Sequence, residues 1–463
     1  MTNERNIRRF GLGVVAFAAL AELLIVLCYA RGVLVVEHYL SPMVFAFAGM
    51  TMLSGAYQKK PALWLGAAFC LWYVLSRMLM GELYLKYSYP YLCNLCAAYL
   101  LALPMAHCTK DEKQSGMKLF SWIYFAGFGA VAWLSLLPAV QGEVMRLPWF
   151  DVDIGLQAVD RRLTIGLHPN GSGVMLLISL MMGVWLLCKH RKRWLLLPAL
   201  VLMAGMYAAI GFTVSRTVMI QTGCFLGALA ALALLRLLPW NRLWKKLLVA
   251  APVAMVIVIV VFLSFGWITT GAEKLNESMN ASAEEVFPGV TGLDYSDYYL
   301  YPEYPDMSSL YAQDGLVADR DLIEDLTTLT GRTAIWRGIG QLVKDQPRVL
   351  LTGMLNSDII SVLNRYTAHT HAHNSILHTL CNMGLPAMLI AVYFTLRAAW
   401  CALRLIFGKN AKFSDQILAV MLLVWLLGSL TESSLFVESF TPCNIPFFLT
   451  LGYALEAEKT LSK

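Results

Sequence analysis

An all-α, polytopic membrane protein is the architecture this sequence predicts. Three properties carry that reading: an apolar composition, a series of hydrophobic runs of membrane-crossing length, and basic residues that recur in alternate connections. Of 463 residues, 58% are hydrophobic and only 14% charged. A soluble domain has too little interior to hide so much apolar surface, so a water-soluble globule is excluded.

Runs of about 20 apolar residues, enough to cross about 30 Å of hydrocarbon, recur along the chain. Twelve spans are expected near 10–30, 33–56, 61–80, 88–107, 118–140, 170–188, 193–212, 215–238, 246–268, 373–407, 415–432 and 439–457. No small-residue cleavage site follows the first run, which is therefore read as a span and not as a leader. With the N-terminus inside, every connection that twelve spans leave on the cytoplasmic side holds Lys or Arg. Examples are Lys59 and Lys60, then Lys189, Arg191, Lys192 and Arg193, then Lys409 and Lys412. In all, 22 of the 36 basic residues fall on that side, which places both termini in the cytoplasm.

Three regions are expected: membrane helices one to nine over 1–267, an extracytoplasmic loop over 268–372, and helices ten to twelve over 373–463. A loop of that length is functional or disordered as a rule. Its charge is segregated. Residues 268–331 carry thirteen acids against Lys274 and Arg320, with six tyrosines from Tyr295 to Tyr311, whereas 332–372 is net basic. The acidic half reads as a solvated lid, with sugar stacking as the functional alternative. The basic half opens on an expected helix over 332–346, with Ile335, Trp336, Ile339, Leu342 and Val343 on one side and Pro347 as its stop. Such a helix lies on a bilayer surface and presents Arg332 and Arg337 at headgroup depth. Elsewhere outside, 141–165 is expected to form a small hairpin.

The residues able to carry chemistry are few. Arg216 stands at the outer end of the eighth span, where a guanidinium either snorkels to water or grips an anion; its planar fork suits a phosphate better than lysine does. His369, His371 and His373 alternate, yet no nearby cysteine or carboxylate completes a metal-ligand set. His373 differs because it opens a membrane helix, and a neutral imidazole there can take a proton from a hydroxyl. Asp151 and Asp153 form a DxD pair that reads as structural, since nucleotide sugars lie on the other side of the membrane. Cys93 and Cys96 form a lone CxxC without the second pair that a zinc site needs. Glu22 and the Glu37–His38 pair are ionisable groups within spans.

His373–Asn374, followed nine residues later by Gly384, is similar to the signature of the O-antigen ligase and O-antigen polymerase superfamily of membrane glycosyltransferases. Three further pieces match in order: His168-Pro169-Asn170-Gly171 before the sixth span, Ser215-Arg216-Thr217 at the eighth, and Gly331-Arg332-Thr333 with Trp336. The resemblance covers about 160–400. One departure stands at Ala387, where the family places Gly, Thr or Tyr.

The resemblance implies a metal-independent, cofactor-free transfer of glycan from a polyprenyl diphosphate carrier to an acceptor hydroxyl. The enzyme would sit in a bacterial cytoplasmic membrane with its large loop outside. Arg216 and Arg332 would hold the diphosphate and His373 would act as general base. Asn374, Arg337, Trp336, Asn170, Arg365 and His371 are the substrate-binding candidates. The acceptor is a glycan, a lipid or a protein, and ligase and polymerase stay undivided. A nucleic-acid partner is not expected. The alternatives are a polysaccharide or lipid-linked-sugar transporter, which calls for matched half-repeats that the sequence lacks, and a non-catalytic membrane sensor or scaffold.

Overall fold

The computed structural model describes residues 2–27, 34–51, 61–81, 89–102, 110–140, 144–147, 152–156, 162–165, 167, 169–189, 193–238, 243–286, 332–354, 361–363, 365–366, 372–408, 410–433, 435–436 and 443–461. Nine helices precede the expected loop: α1 (Thr2–Leu27), α2 (Leu34–Thr51), α3 (Pro61–Leu79), α4 (Tyr89–Leu101), α5 (Lys110–Val140), α6 (Pro169–Lys189), α7 (Arg193–Phe212), α8 (Arg216–Leu237) and α9 (Leu243–Val286). Then come α10 (Arg332–Asp345), the single turn α11 (Val349–Thr352), α12 (Ser375–Phe407), α13 (Phe413–Ser429) and α14 (Asn444–Lys459).

Each of the twelve expected spans contains one helix. Among the described residues, seven of these helices are long and apolar enough to cross a membrane. The segments Tyr39–Thr51, Leu65–Leu79, Tyr91–Leu101 and Phe413–Ser429 are apolar but shorter. A membrane explains the inverted surface. α6 is buried along almost all its length, packed by α5, α7, α8 and α13. α9 leans on α8 and turns Val256, Ile259, Val260 and Leu263 outward, which suits lipid and not water. Within the bundle, Tyr124 of α5 donates to the buried Glu22 carboxylate at 2.7 Å.

Two differences from the sequence reading concern the connections. α9 does not end near 268 but stays helical to Val286, because residues 269–286 hold good helix formers and the next proline is Pro288. The 141–165 segment is not a two-stranded hairpin. It forms an antiparallel sheet in the order β1 (Val144–Leu147), β2 (Val152–Leu156), β3 (Leu163–Ile165). Ile154, Leu163 and Ile165 are buried and seat the sheet on α5 and α6. Asp153 lies opposite Arg146 in this sheet, and Asp151 is outside the described residues.

α12 is broken at Gly384 (φ 78°, ψ −176°). Pro386 has no N–H to return to the Asn382 carbonyl, so a straight helix would leave that oxygen orphaned in an apolar medium. The break turns three consecutive carbonyls toward other donors. The Met354 N–H bonds Cys381 O at 2.7 Å, the fully buried Arg77 donates to Asn382 O at 2.8 Å, and the Trp72 indole donates to Met383 O at 2.7 Å. Arg77 also donates to Met354 O at 2.6 Å, so α3 clamps the α12 break and the exit of α11 together. The two backbones touch through Gly353 (φ 76°) and Gly384. A Cβ on Gly384 would stand 2.2 Å from Leu351 O, and one on Gly353 would stand 2.2 Å from the Asn382 carbonyl carbon. Gly384 therefore serves a left-handed break, and not the plain helix contact that a small residue suggests.

Candidate functional site

The helix over 332–346 forms as expected, from Arg332 to Asp345, with Ile335, Ile339 and Leu342 buried against a small cluster that includes Val349, Met354 and Leu363. Burying that stripe points the N-terminus of α10 at the bundle, and the half-buried Arg332 guanidinium enters it. Arg332 donates to Thr431 O at 2.8 Å, to Thr217 Oγ1 at 3.1 Å and to Glu432 Oε1 at 3.1 Å. Thr217 follows Arg216, so the first turn of α8 meets the first residue of α10.

His373 joins them through the same carboxylate. Its Nδ1 stands 3.3 Å from Glu432 Oε2. Glu432 thus spans the imidazole with one oxygen and the guanidinium with the other, and all three side chains are 13–16% exposed. The surrounding frame is stiff. Asn374 caps α12 by accepting from Ile376 and Leu377 N–H, both at 3.0 Å, and donates to Leu430 O at 3.1 Å. Ser375 donates to Glu432 O at 2.9 Å and accepts from Leu435 N–H at 3.1 Å.

Backbone strain gathers here too. Among the described residues, the non-glycine residues with positive φ are Val214 (48°), His373 (45°) and Phe436 (73°). Each lies in a connection that feeds the site, and such conformations persist only where the surroundings hold them. For a β-branched residue such as Val214 the left-handed region is a marked outlier.

The helix ends add to the positive field. α8, α10 and α12 all start at this cluster, with Arg216, Arg332 and the His373–Asn374 pair at their N-termini. Ser215 precedes α8 without giving a side-chain cap, so its hydroxyl does not satisfy the first amides of that helix. Arg332 and three helix starts beside one carboxylate and an imidazole make a positive frame of the kind that suits an anionic group.

The other sequence candidates spread around this centre. Arg337 is exposed one turn along α10 and donates to its own Thr333 O at 3.4 Å. Trp336 packs on the α10 cluster, with its indole N–H buried and unmatched among the described residues. Arg365 is exposed beside Tyr366, whose hydroxyl meets Asp345; that carboxylate pushes the phenol pKa above its ordinary value. Asn170 accepts from Arg162 at 2.6 Å. His371 and His369 lie outside the described residues, as do all the residues from 287 to 331, the tyrosine-rich stretch included.

Sequence reasoning missed Glu432 and Arg162. Glu432 sits at the expected outer end of the 415–432 span, and an isolated acid at a span end was the available signal.

Residues 206–392 match a family model described as O-antigen ligase. This segment, well under half of the chain, is similar to that family. No curated protein matches the chain. The O-antigen ligase segment carries Arg216, Arg332, His373 and the Gly384 break, while Glu432, Arg162 and Arg77 reach the site and its frame from outside it. The apolar helices make the chain a multi-pass membrane protein, and its central segment is similar to O-antigen ligases.

Proposed function

We propose that the chain is a membrane glycosyltransferase that moves a glycan from a polyprenyl diphosphate carrier to an acceptor hydroxyl, building a surface polysaccharide. The observation that carries this reading is the Glu432 carboxylate shared between His373 and Arg332. A carboxylate 3.3 Å from Nδ1, once drawn into hydrogen-bond geometry, would favour the tautomer whose Nδ1–H donates to it, leaving the Nε2 lone pair to accept a proton.

The step balances with these groups alone. The acceptor oxygen forms a bond to the anomeric carbon and gives its proton to His373 Nε2. The bond from the anomeric carbon to the diphosphate oxygen breaks, and the electron pair leaves with the diphosphate. Arg216 and Arg332, with the α8 amides, offset the charge that grows on the leaving oxygens, so they act most strongly in the transition state. General-base help is worth roughly 10²–10⁴ in rate, and a preorganised donor to a developing oxyanion about 10²–10³. In this reading the guanidinium groups take the place of a divalent cation.

The experiment is an incubation of purified protein with a polyprenyl diphosphate-linked oligosaccharide, with and without candidate acceptors, followed by mass analysis of the products. Covalent transfer that persists in EDTA is expected. A glycan that changes leaflet without changing attachment would sink the transferase reading in favour of a transporter, and loss of turnover in EDTA would sink the cation-free mechanism.

A further inference from the structure

The α7–α8 connection is three residues long, Thr213, Val214 and Ser215, and Arg216 follows it as the first residue of α8, beside Thr217, which accepts from Arg332. Its own bonds are all short-range: the Thr213 N–H reaches Ala209 O and Ile210 O, the Val214 N–H reaches Gly211 O, and Thr213 Oγ1 donates to Ile210 O at 2.7 Å and accepts from Ser215 N–H at 3.3 Å. Val214 at its centre is left-handed, a state that a valine leaves readily unless something pins the chain. The pin comes from the sheet. Arg162, immediately before β3, donates through Nε to Thr213 O at 2.8 Å and through its NH2 group to Asn170 Oδ1 at 2.6 Å.

Asn170 belongs to the first turn of α6, and β3 is tied to the same turn, because Ser172 accepts from Ile165 N–H at 3.1 Å and donates to Leu167 O at 2.9 Å. The guanidinium plane is thus fixed at its root by a buried strand and at its tip by a buried helix. Only a rigid fork reaches both acceptors at once; a lysine ammonium on a flexible stem reaches one.

We infer that Arg162 is a positioning residue for Arg216: it holds the strained Thr213–Ser215 turn so that the Arg216 guanidinium stays where the leaving diphosphate needs it. Asn170 then orients Arg162 instead of touching the glycan. The inference rests on the transferase reading for its rate consequence, and on the Arg162–Thr213 bond and the short chain from Thr213 to Arg216 for the coupling.

The test is a double-mutant cycle on the full-length protein in detergent or nanodiscs. Arg162→Met and Arg162→Lys are made in wild-type and Arg216→Ala backgrounds. Two quantities are read: kcat and KM for a carrier-linked oligosaccharide, and the Kd of sugar-free polyprenyl diphosphate. In the wild-type background Arg162→Met lowers kcat by about 10²-fold, the scale of a misplacement near 1 Å, with KM changed by less than about threefold. Arg162→Lys recovers only part of the loss. In the Arg216→Ala background the same changes cost less than about threefold, because the group they position is gone.

Equal fold-losses in both backgrounds would show a general structural role and overturn the inference while leaving the transferase reading intact. If the wild-type protein transfers no glycan, the transferase reading fails by itself, and the cycle on Kd decides Arg162: coupled losses support it and additive ones overturn it. Should Arg162→Met fail to fold, Arg162→Lys, which keeps charge and length, gives the same two outcomes.

Discussion

His373 holds Nδ1 3.3 Å from one oxygen of Glu432 on the connection after α13, a carboxylate supplied from beyond the O-antigen ligase segment. With its other oxygen on Arg332, Glu432 ties the proposed base to the proposed diphosphate clamp. Removing it should harm proton transfer and charge stabilisation together.

Glu432→Gln is the discriminating change, since it keeps the shape and removes the charge. A glutamine can turn its N–H toward Nδ1 and stabilise the tautomer with the proton on Nε2, which is useless as a base. We expect kcat to fall about 10²-fold or more, within the range for general-base loss, with carrier affinity changed much less. Pre-steady-state transfer measured alongside carrier binding checks this. A variant with wild-type kcat would remove Glu432 from the mechanism.

Arg332→Lys should resemble Arg332→Ala. The guanidinium engages Thr431 O, Thr217 Oγ1 and Glu432 at once, and an ammonium cannot span three acceptors on different elements. Loss of a preorganised donor to a leaving oxyanion costs about 2.7–4 kcal/mol in transition-state energy, so kcat should drop about 10²–10³-fold in both variants. Recovery of most activity by lysine would show that only a positive charge is required.

The α12 break makes a stability prediction. Gly384→Ala places a Cβ against Leu351 O in a left-handed conformation, and Arg77→Met strips donors from Asn382 O and Met354 O in a buried apolar site. Each buried orphan carbonyl costs about 1–3 kcal/mol. Both variants should melt at lower temperature in fluorescence-detected size-exclusion, and Arg77→Lys should recover little of the loss. Unchanged melting of Arg77→Met would mean that water satisfies those carbonyls as well as the guanidinium does.

How far the sequence discloses this arrangement depends on the range of the interaction. The helices are legible because hydrocarbon thickness fixes their length, and α10 is legible because its apolar stripe and Pro347 are local signals. The segment that carries Arg216, Arg332 and His373 is legible by resemblance. Glu432 is not, since its partners Arg332, His373 and Ser375 lie far away along the chain and nothing in its own surroundings distinguishes it from a span-end acid. Gly384 is legible as a constrained position but not as a break; its φ, and the donors from Trp72 and Arg77, belong to tertiary packing. Arg162 looks like one more hairpin cation until the sheet is seated on α6. The acidic, tyrosine-rich stretch centred on 295–311 lies outside the described residues, and its role as lid or sugar surface stands as the sequence left it.

Asn374 separates two kinds of role for a residue beside the base. As a glycan ligand, its replacement by alanine would raise KM and leave kcat and melting temperature alone. In the structure its carbonyl oxygen caps α12 and its amide group donates to Leu430 O, which ties the His373 turn to the strand of chain that carries Glu432. Loss of such a cap costs about 0.5–2 kcal/mol, and here it also frees a residue held at φ 45° to relax. Asn374→Ala should therefore lower both melting temperature and kcat with KM nearly unchanged. Asn374→Asp keeps the capping acceptor and should restore most of the melting temperature. It cannot donate to Leu430 O, however, and it sets a second negative charge beside Glu432, so kcat should stay low. A KM effect without a stability effect would return Asn374 to the substrate-binding set.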